Sequence, residues 1–122
     1  MIVKDAGTEI MKVYATDFNI QIKDDKSPVT LADKNANSII EKGLNDIDSS
    51  LPILSEEGKN FSYETRKDWE YFWLVDPLDG TKDFIKKNGE FTVNIALIKN
   101  GAPIFGMVYA PVSECYFWGG EE

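Results

Sequence analysis

The chain has 122 residues, a net charge of −8, a single cysteine and no histidine. This length suits one domain, and the acidic balance argues against a nucleic-acid polymer as partner, which needs a basic footprint. Histidine bases, zinc–histidine sites, Ser-His-Asp triads and an internal disulfide are excluded, so any hydrolytic chemistry falls to carboxylates, hydroxyls, lysines and metals.

The N-terminal segment Ile2 to Tyr14 places Ile2, Ala6, Ile10, Val13 and Tyr14 near one helical face, which predicts an amphipathic helix. Asn19 to Lys23 alternates and predicts a short strand, followed by a polar turn at Asp24-Asp25-Lys26-Ser27-Pro28. A second helix is expected from about Thr30, with Thr30 and Asp33 at capping-box spacing. Its apolar stripe is Ala32, Ala36, Ile39, Ile40 and Leu44, and Asn45 to Ser50 ends it. Ile53-Leu54 begins a β-rich remainder, interrupted by a polar stretch from Gly58 to Glu70.

Tyr71 to Val75 reads as a buried strand. Thr81 to Lys87 suits one or two helical turns, closed by Gly89. Phe91 to Ile98 and Ile104 to Ala110 read as strands joined through Asn100-Gly101, a strong hairpin signal. Cys115 to Trp118 is a last strand, and Cys115 among aromatics is expected in the core. The fold class is α+β: two N-terminal helices on one face of a largely antiparallel sheet. No apolar run approaches the ~20 residues of a membrane helix. The first residues lack a signal-peptide apolar region, and the single cysteine fits a cytoplasmic protein.

The chemistry concentrates at Asp76-Pro77-Leu78-Asp79-Gly80-Thr81. Two carboxylates leave the end of a strand, and the Leu78 carbonyl could add a third oxygen, the donor type that hard cations such as magnesium take. Gly80 allows close backbone approach, and a helix starting at Thr81 would offer unpaired N–H groups to an anion. By spacing alone, an ordinary turn with Asp79 as helix cap is an equally good account. Glu56-Glu57 follows another short apolar run, and a solvated surface pair is its plainer reading. Asp33 is either a cap or a carboxylate that orients water with the Thr81 hydroxyl. Trp69, Tyr71, Phe72 and Trp73 could stack bases, though core and edge packing is the simpler account. Lys82, Lys86 and Lys87 are most simply solvated.

Three motifs together resemble the inositol monophosphatase-like superfamily of metal-dependent, lithium-sensitive phosphatases. They are Ser27-Pro28-Val29-Thr30-Leu31-Ala32-Asp33, Leu54-Ser55-Glu56-Glu57 and Trp73-Leu74-Val75-Asp76-Pro77-Leu78-Asp79-Gly80-Thr81. Lys82-Asp83-Phe84 and the run from Asn88 to Ile98 further resemble bacterial 3'(2'),5'-bisphosphate nucleotidases, in which Glu is common where Asp83 stands. The resemblance implies removal of the 3'-phosphate of adenosine 3',5'-bisphosphate, a by-product of sulfate assimilation, to give AMP. It implies magnesium at Glu56, Asp76, Asp79 and the Leu78 carbonyl, and water activation by Asp33 and Thr81 with Glu56. It places Glu56, Leu78, Asp79, Gly80 and Thr81 at the substrate, with direct in-line attack by metal-activated water. Lithium is the inhibitor it implies. Family members are roughly twice this length, so residues 1–122 are expected to be an N-terminal half. The missing half would carry a further metal-ligating aspartate, and self-association or docking of a complementary chain is the expected consequence.

Overall fold

A computed structural model describes residues 2–15, 28–55 and 63–120. The strand expected at Asn19 to Lys23, most of the turn after it, and Glu56 and Glu57 lie outside the described residues. Helix α1 spans Ile2–Tyr14 and buries Val3, Ala6, Gly7, Ile10 and Val13, positions that recur at helical spacing.

Helix α2 spans Pro28–Ile47. Proline suits a first helical turn because its missing N–H would have had no intrahelical partner there. The helix therefore begins earlier than expected. Asp33 lies inside it and is buried, so the Thr30/Asp33 capping box is not its N-terminus. Ala32, Ala36, Ile40 and Leu44, each four residues apart, are buried as predicted. The helix runs to Ile47, and the following turn closes on Asp48, whose Oδ1 accepts from the Ser50 hydroxyl at 2.6 Å and the Ser50 N–H at 2.9 Å. These two donors hold the Asp48 carboxyl below its usual pKa.

Strands β1 (Ile53–Ser55), β2 (Tyr71–Asp79), β3 (Thr92–Lys99), β4 (Ala102–Ala110) and β5 (Cys115–Gly120) form one sheet in chain order. Short helices α3 (Tyr63–Arg66) and α4 (Thr81–Ile85) flank β2 in sequence. β1 and β2 run parallel, and every later pair is antiparallel. The β3–β4 hairpin turns through Asn100 at φ 51° and Gly101 at φ 82°, as the Asn-Gly signal requires.

Alternation along the strands gives the sheet two different faces. Trp73 and Val75 of β2, Val93 and Ile95 of β3 and Tyr109 of β4 are buried in one cluster with α1 and α2. The other face carries Leu74, Ala96, Val108 and Phe117. Leu74 is 44% exposed and Phe117 67%. Both helices thus cover one face, as predicted. Cys115 does not join the core. It is exposed, because β5 is an edge strand whose residues are all exposed. Trp73 is buried on the helix side, while Trp69 and Phe72 pack on each other with ring centroids 5.5 Å apart. Trp73 thus belongs to the core, and Trp69 and Phe72 pack on each other outside it.

Candidate metal and phosphate site

The site is built by an irregularity in β2. Asp76 pairs with Asn94, but Asp79 pairs with Thr92, so three steps along β2 match two along β3. This is a β-bulge, and Pro77, which has no N–H to give a ladder, fits within it. In a regular strand residues three apart point to opposite faces. The extra residue reverses that parity and brings Asp76 and Asp79 to the same side. Asn94 confirms the outcome: it faces Asp76 in register, and its Nδ2 donates to Asp79 Oδ2 at 3.2 Å. Pro77 and Leu78 are buried beneath the bulge, which anchors the two carboxylates from below.

Gly80 follows at φ 92° and ψ 46°, a left-handed conformation that favours glycine. A Cβ here would also stand 3.0 Å from the Glu90 carbonyl oxygen. The turn feeds directly into α4, whose first helical bond runs from the Phe84 N–H to the Gly80 carbonyl at 3.0 Å. No side chain caps the start of α4, so the reading of Asp79 as a helix cap is not realised. Phe84 sets where α4 sits. It is fully buried against Phe91 and Tyr14, with centroids 5.2 Å and 5.5 Å away. Asp83 fixes the loop beyond: its Oδ1 accepts from Asn88 Nδ2 at 2.8 Å, and Asn88 Oδ1 accepts from the Glu90 N–H at 3.0 Å. The Lys82-Asp83-Phe84 run therefore divides its work, with Lys82 exposed, Asp83 clasping the loop and Phe84 in the core.

Asp33 is buried on α2, which packs against β2 and α4. One turn further along α2, buried Asn37 Oδ1 accepts from the Ser55 hydroxyl at 2.6 Å. That bond ties the end of β1 to α2. Ser55, the residue before Glu56, pairs with Val75, the residue before Asp76. The described residues thus bring Asp76, Asp79, Asn94, Gly80 and Thr81 to one end of β2 and bury Asp33 on the adjoining helix. Among the described residues, no three of His, Cys, Asp and Glu converge closely enough to hold a metal by themselves. Glu56, the remaining expected ligand, lies outside them.

Two contacts escaped the sequence reading. The Asn37–Ser55 bond joins positions 18 apart and left no periodic signal. Asn94 sat in view within the strand run Phe91 to Ile98, but its partnership with Asp79 depends on the bulge. Asn94 Oδ1 is buried and has no hydrogen-bond partner. Such an orphaned acceptor beside two carboxylates suits a site completed by a hydrated hard cation. Asp76 and Asn94 line an open trough of about 600 Å³ on the uncovered face, together with Leu54, Leu74, Ala96 and Val108 among others.

Known proteins resemble this chain in sequence and in fold. The 3'(2'),5'-bisphosphate nucleotidase CysQ of Salmonella typhimurium is 49% identical over 98% of this chain and 49% of its own length. That of Buchnera aphidicola is 51% identical over 90% of this chain and 42% of its own. The chain thus spans about half the length of the curated relatives it matches. Among solved structures, CysQ from Bacteroides thetaiotaomicron superposes with a TM-score of 0.89 at 46% identity, over 98% of this chain and 43% of that one. An inositol monophosphatase from Zymomonas mobilis gives 0.81 at 27% identity, over 99% of this chain and 45% of its own. With residues 1–121 matching the inositol monophosphatase family, the chain belongs to that family.

Proposed function

We propose that this chain supplies the N-terminal half of a magnesium-dependent phosphatase that removes the 3'-phosphate of adenosine 3',5'-bisphosphate to give AMP. The observation that carries the phosphatase reading is the bulge that turns Asp76 and Asp79 to one side of the sheet. The nucleotide substrate is supported by the roughly half-identical relatives named 3'(2'),5'-bisphosphate nucleotidase. Cytoplasmic placement and a role in sulfur metabolism follow from the same reading. No helix among the described residues is long and apolar enough to cross a membrane.

Glu56, Asp76, Asp79 and the Leu78 carbonyl would hold magnesium, an all-oxygen set suited to a hard cation. The metal would supply a lowered water pKa and stabilise charge on the attacking and leaving oxygens. The chain's own residues then divide the remaining work. The backbone of Gly80 and Thr81 receives the phosphate oxygens, in the conformation that only the Gly80 turn allows. Thr81 and Asp33 orient the attacking water and take up its proton. Buried Phe84 and the Asp83–Asn88 clasp keep the N-terminal end of α4 aimed at the phosphate.

The open apolar face at the border of this site fits a second role. It would receive the complementary half of the fold, or in its absence a second copy of this chain, and exposed Leu74, Val108 and Phe117 support that reading. Light scattering of the chain alone should show self-association; a strictly monomeric species at micromolar concentration would refute it. The activity is tested by combining the chain with the C-terminal half of a close relative and measuring phosphate release with magnesium. Adenosine 3',5'-bisphosphate should be preferred and EDTA should abolish turnover. Preference for inositol 1-phosphate would overturn the nucleotide assignment. Near-normal turnover of Asp76→Asn or Asp79→Asn would overturn their ligand roles.

A further inference from the structure

We propose that Asn94 is a positioning residue for the carboxylate pair, an outer partner that aims Asp79 and offers its own oxygen to the water shell of the bound cation. The proposal rests on the metal-site reading above.

Asn94 stands where the apolar trough meets the carboxylates, directly opposite Asp76. On its face of the sheet its neighbours are Leu74, Ala96 and Val108, which line the same trough. An amide carries two donor hydrogens and an oxygen that accepts. Here Nδ2 donates to Asp79 Oδ2 at 3.2 Å, while Oδ1 is buried without a hydrogen-bond partner. Turning the amide over would set its oxygen against the Asp79 carboxylate, so Asp79 fixes its orientation. The donor side thus ties down one carboxylate oxygen, Oδ2, and makes no claim on Asp79 Oδ1. The acceptor side, still unmet, suits the hydrogen of a cation-bound water, and magnesium characteristically keeps several waters. The amide is neutral, so it orients Asp79 without adding charge. Register makes the arrangement possible: Asn94 lies directly opposite Asp76, and the bulge swings Asp79 back to the same side chain.

Binding of Mn²⁺ to the 122-residue chain, read from the electron paramagnetic resonance signal of the free ion, tests this directly. Asn94→Leu, similar in size and apolar like its neighbours, should weaken Mn²⁺ binding by about 10- to 100-fold, the range for loss of such an outer partner. Its melting temperature should stay unchanged or rise. An amide of purely structural value would show the reverse, with a lower melting temperature and unchanged Mn²⁺ affinity, and that result overturns the proposal. If leucine prevents folding, Asn94→Ser serves in its place: its hydroxyl ends one bond short of the amide nitrogen and should lose at least tenfold, whereas wild-type affinity overturns the proposal. Asp79→Asn separates the two levels. If it loses Mn²⁺ while the Asn94 variants bind like wild type, only the Asn94 assignment fails. If wild type binds no Mn²⁺, the metal-site reading fails and takes this inference with it.

Discussion

The two faces of one sheet differ more than any two elements of this molecule. On one, Val75, Val93 and Ile95 disappear beneath α1 and α2. On the other, Leu74 and Val108 are 44% and 38% exposed, although Leu74 follows buried Trp73 on β2 and Val108 precedes buried Tyr109 on β4. Burial there ends at the sheet, and the carboxylates stand at the end of that open face. The contrast separates two demands on the chain. The covered face makes the fold. The open face presents Asp76, Asp79 and Asn94 to whatever completes the site.

A charge placed on each face should separate the two most visibly. Val93→Asp puts a carboxylate where the native side chain is wholly buried. It should cost more than about 4 kcal/mol, enough to leave the chain unfolded by circular dichroism. Leu74→Asp, one strand away on the open face, should fold normally. Equal loss of structure in both would show that the faces are not distinct. Phe84→Ala comes next, since it empties the centre of the Tyr14–Phe84–Phe91 cluster that connects the covered core to α4. A loss of about 3–5 kcal/mol is expected from urea unfolding.

Gly80→Ala acts at the seam between the faces. An L-residue at φ 92° is strained, and its Cβ would press on the Glu90 carbonyl. A stability loss of about 1–3 kcal/mol is expected, with a larger proportional loss of phosphate release in the combined enzyme if, as proposed, this backbone holds the phosphate. A smaller effect still should follow from Leu74→Asp with Val108→Asp. Stability should change by no more than about 0.5 kcal/mol per site, while light scattering should show association abolished.

Legibility in the sequence follows the same division. Helix α1 was readable in its bounds because Ala6, Ile10 and Val13 recur at helical spacing, although Val3 and Gly7 are buried in it where Ile2 and Tyr14 were expected. The Asn100-Gly101 hairpin was readable because its turn chemistry is local. Strand β2 was expected to end at Val75, since Pro77 and Asp79-Gly80 look like turn residues. It runs on to Asp79 because pairing with β3 continues past the bulge, a fact of register that no local signal carries. The core reading of Cys115 failed for a related reason: an aromatic-rich strand looks the same at a sheet edge as in the middle. The carboxylates of the site were visible as residues, but the bulge that brings them to one side was not. It needs Thr92 and Asn94 on a strand more than a dozen residues further along.

Tyr109 provides the finest test of the covered face. Its ring lies in the buried cluster, so close to α1 that a Cβ on Gly7 would stand 2.5 Å from Cε2. Burial pushes the phenol pKa above its ordinary 10.0, with the negative charges of Glu114 and Cys115 adding to the shift. Below pH 10 the phenol is neutral in both folded and unfolded chains, and its contribution to stability is fully present. Above that pH the unfolded chain releases the proton while the folded chain retains it. Stability should therefore fall as pH rises from about 10 through the folded-state pKa. Tyr109→Phe keeps the ring and removes the titration. Urea unfolding of the two proteins between pH 9 and pH 11 should therefore show wild type losing more stability than the variant. Identical pH dependence would mean that water reaches this ring, and that α1 closes the covered face less tightly than its burial indicates.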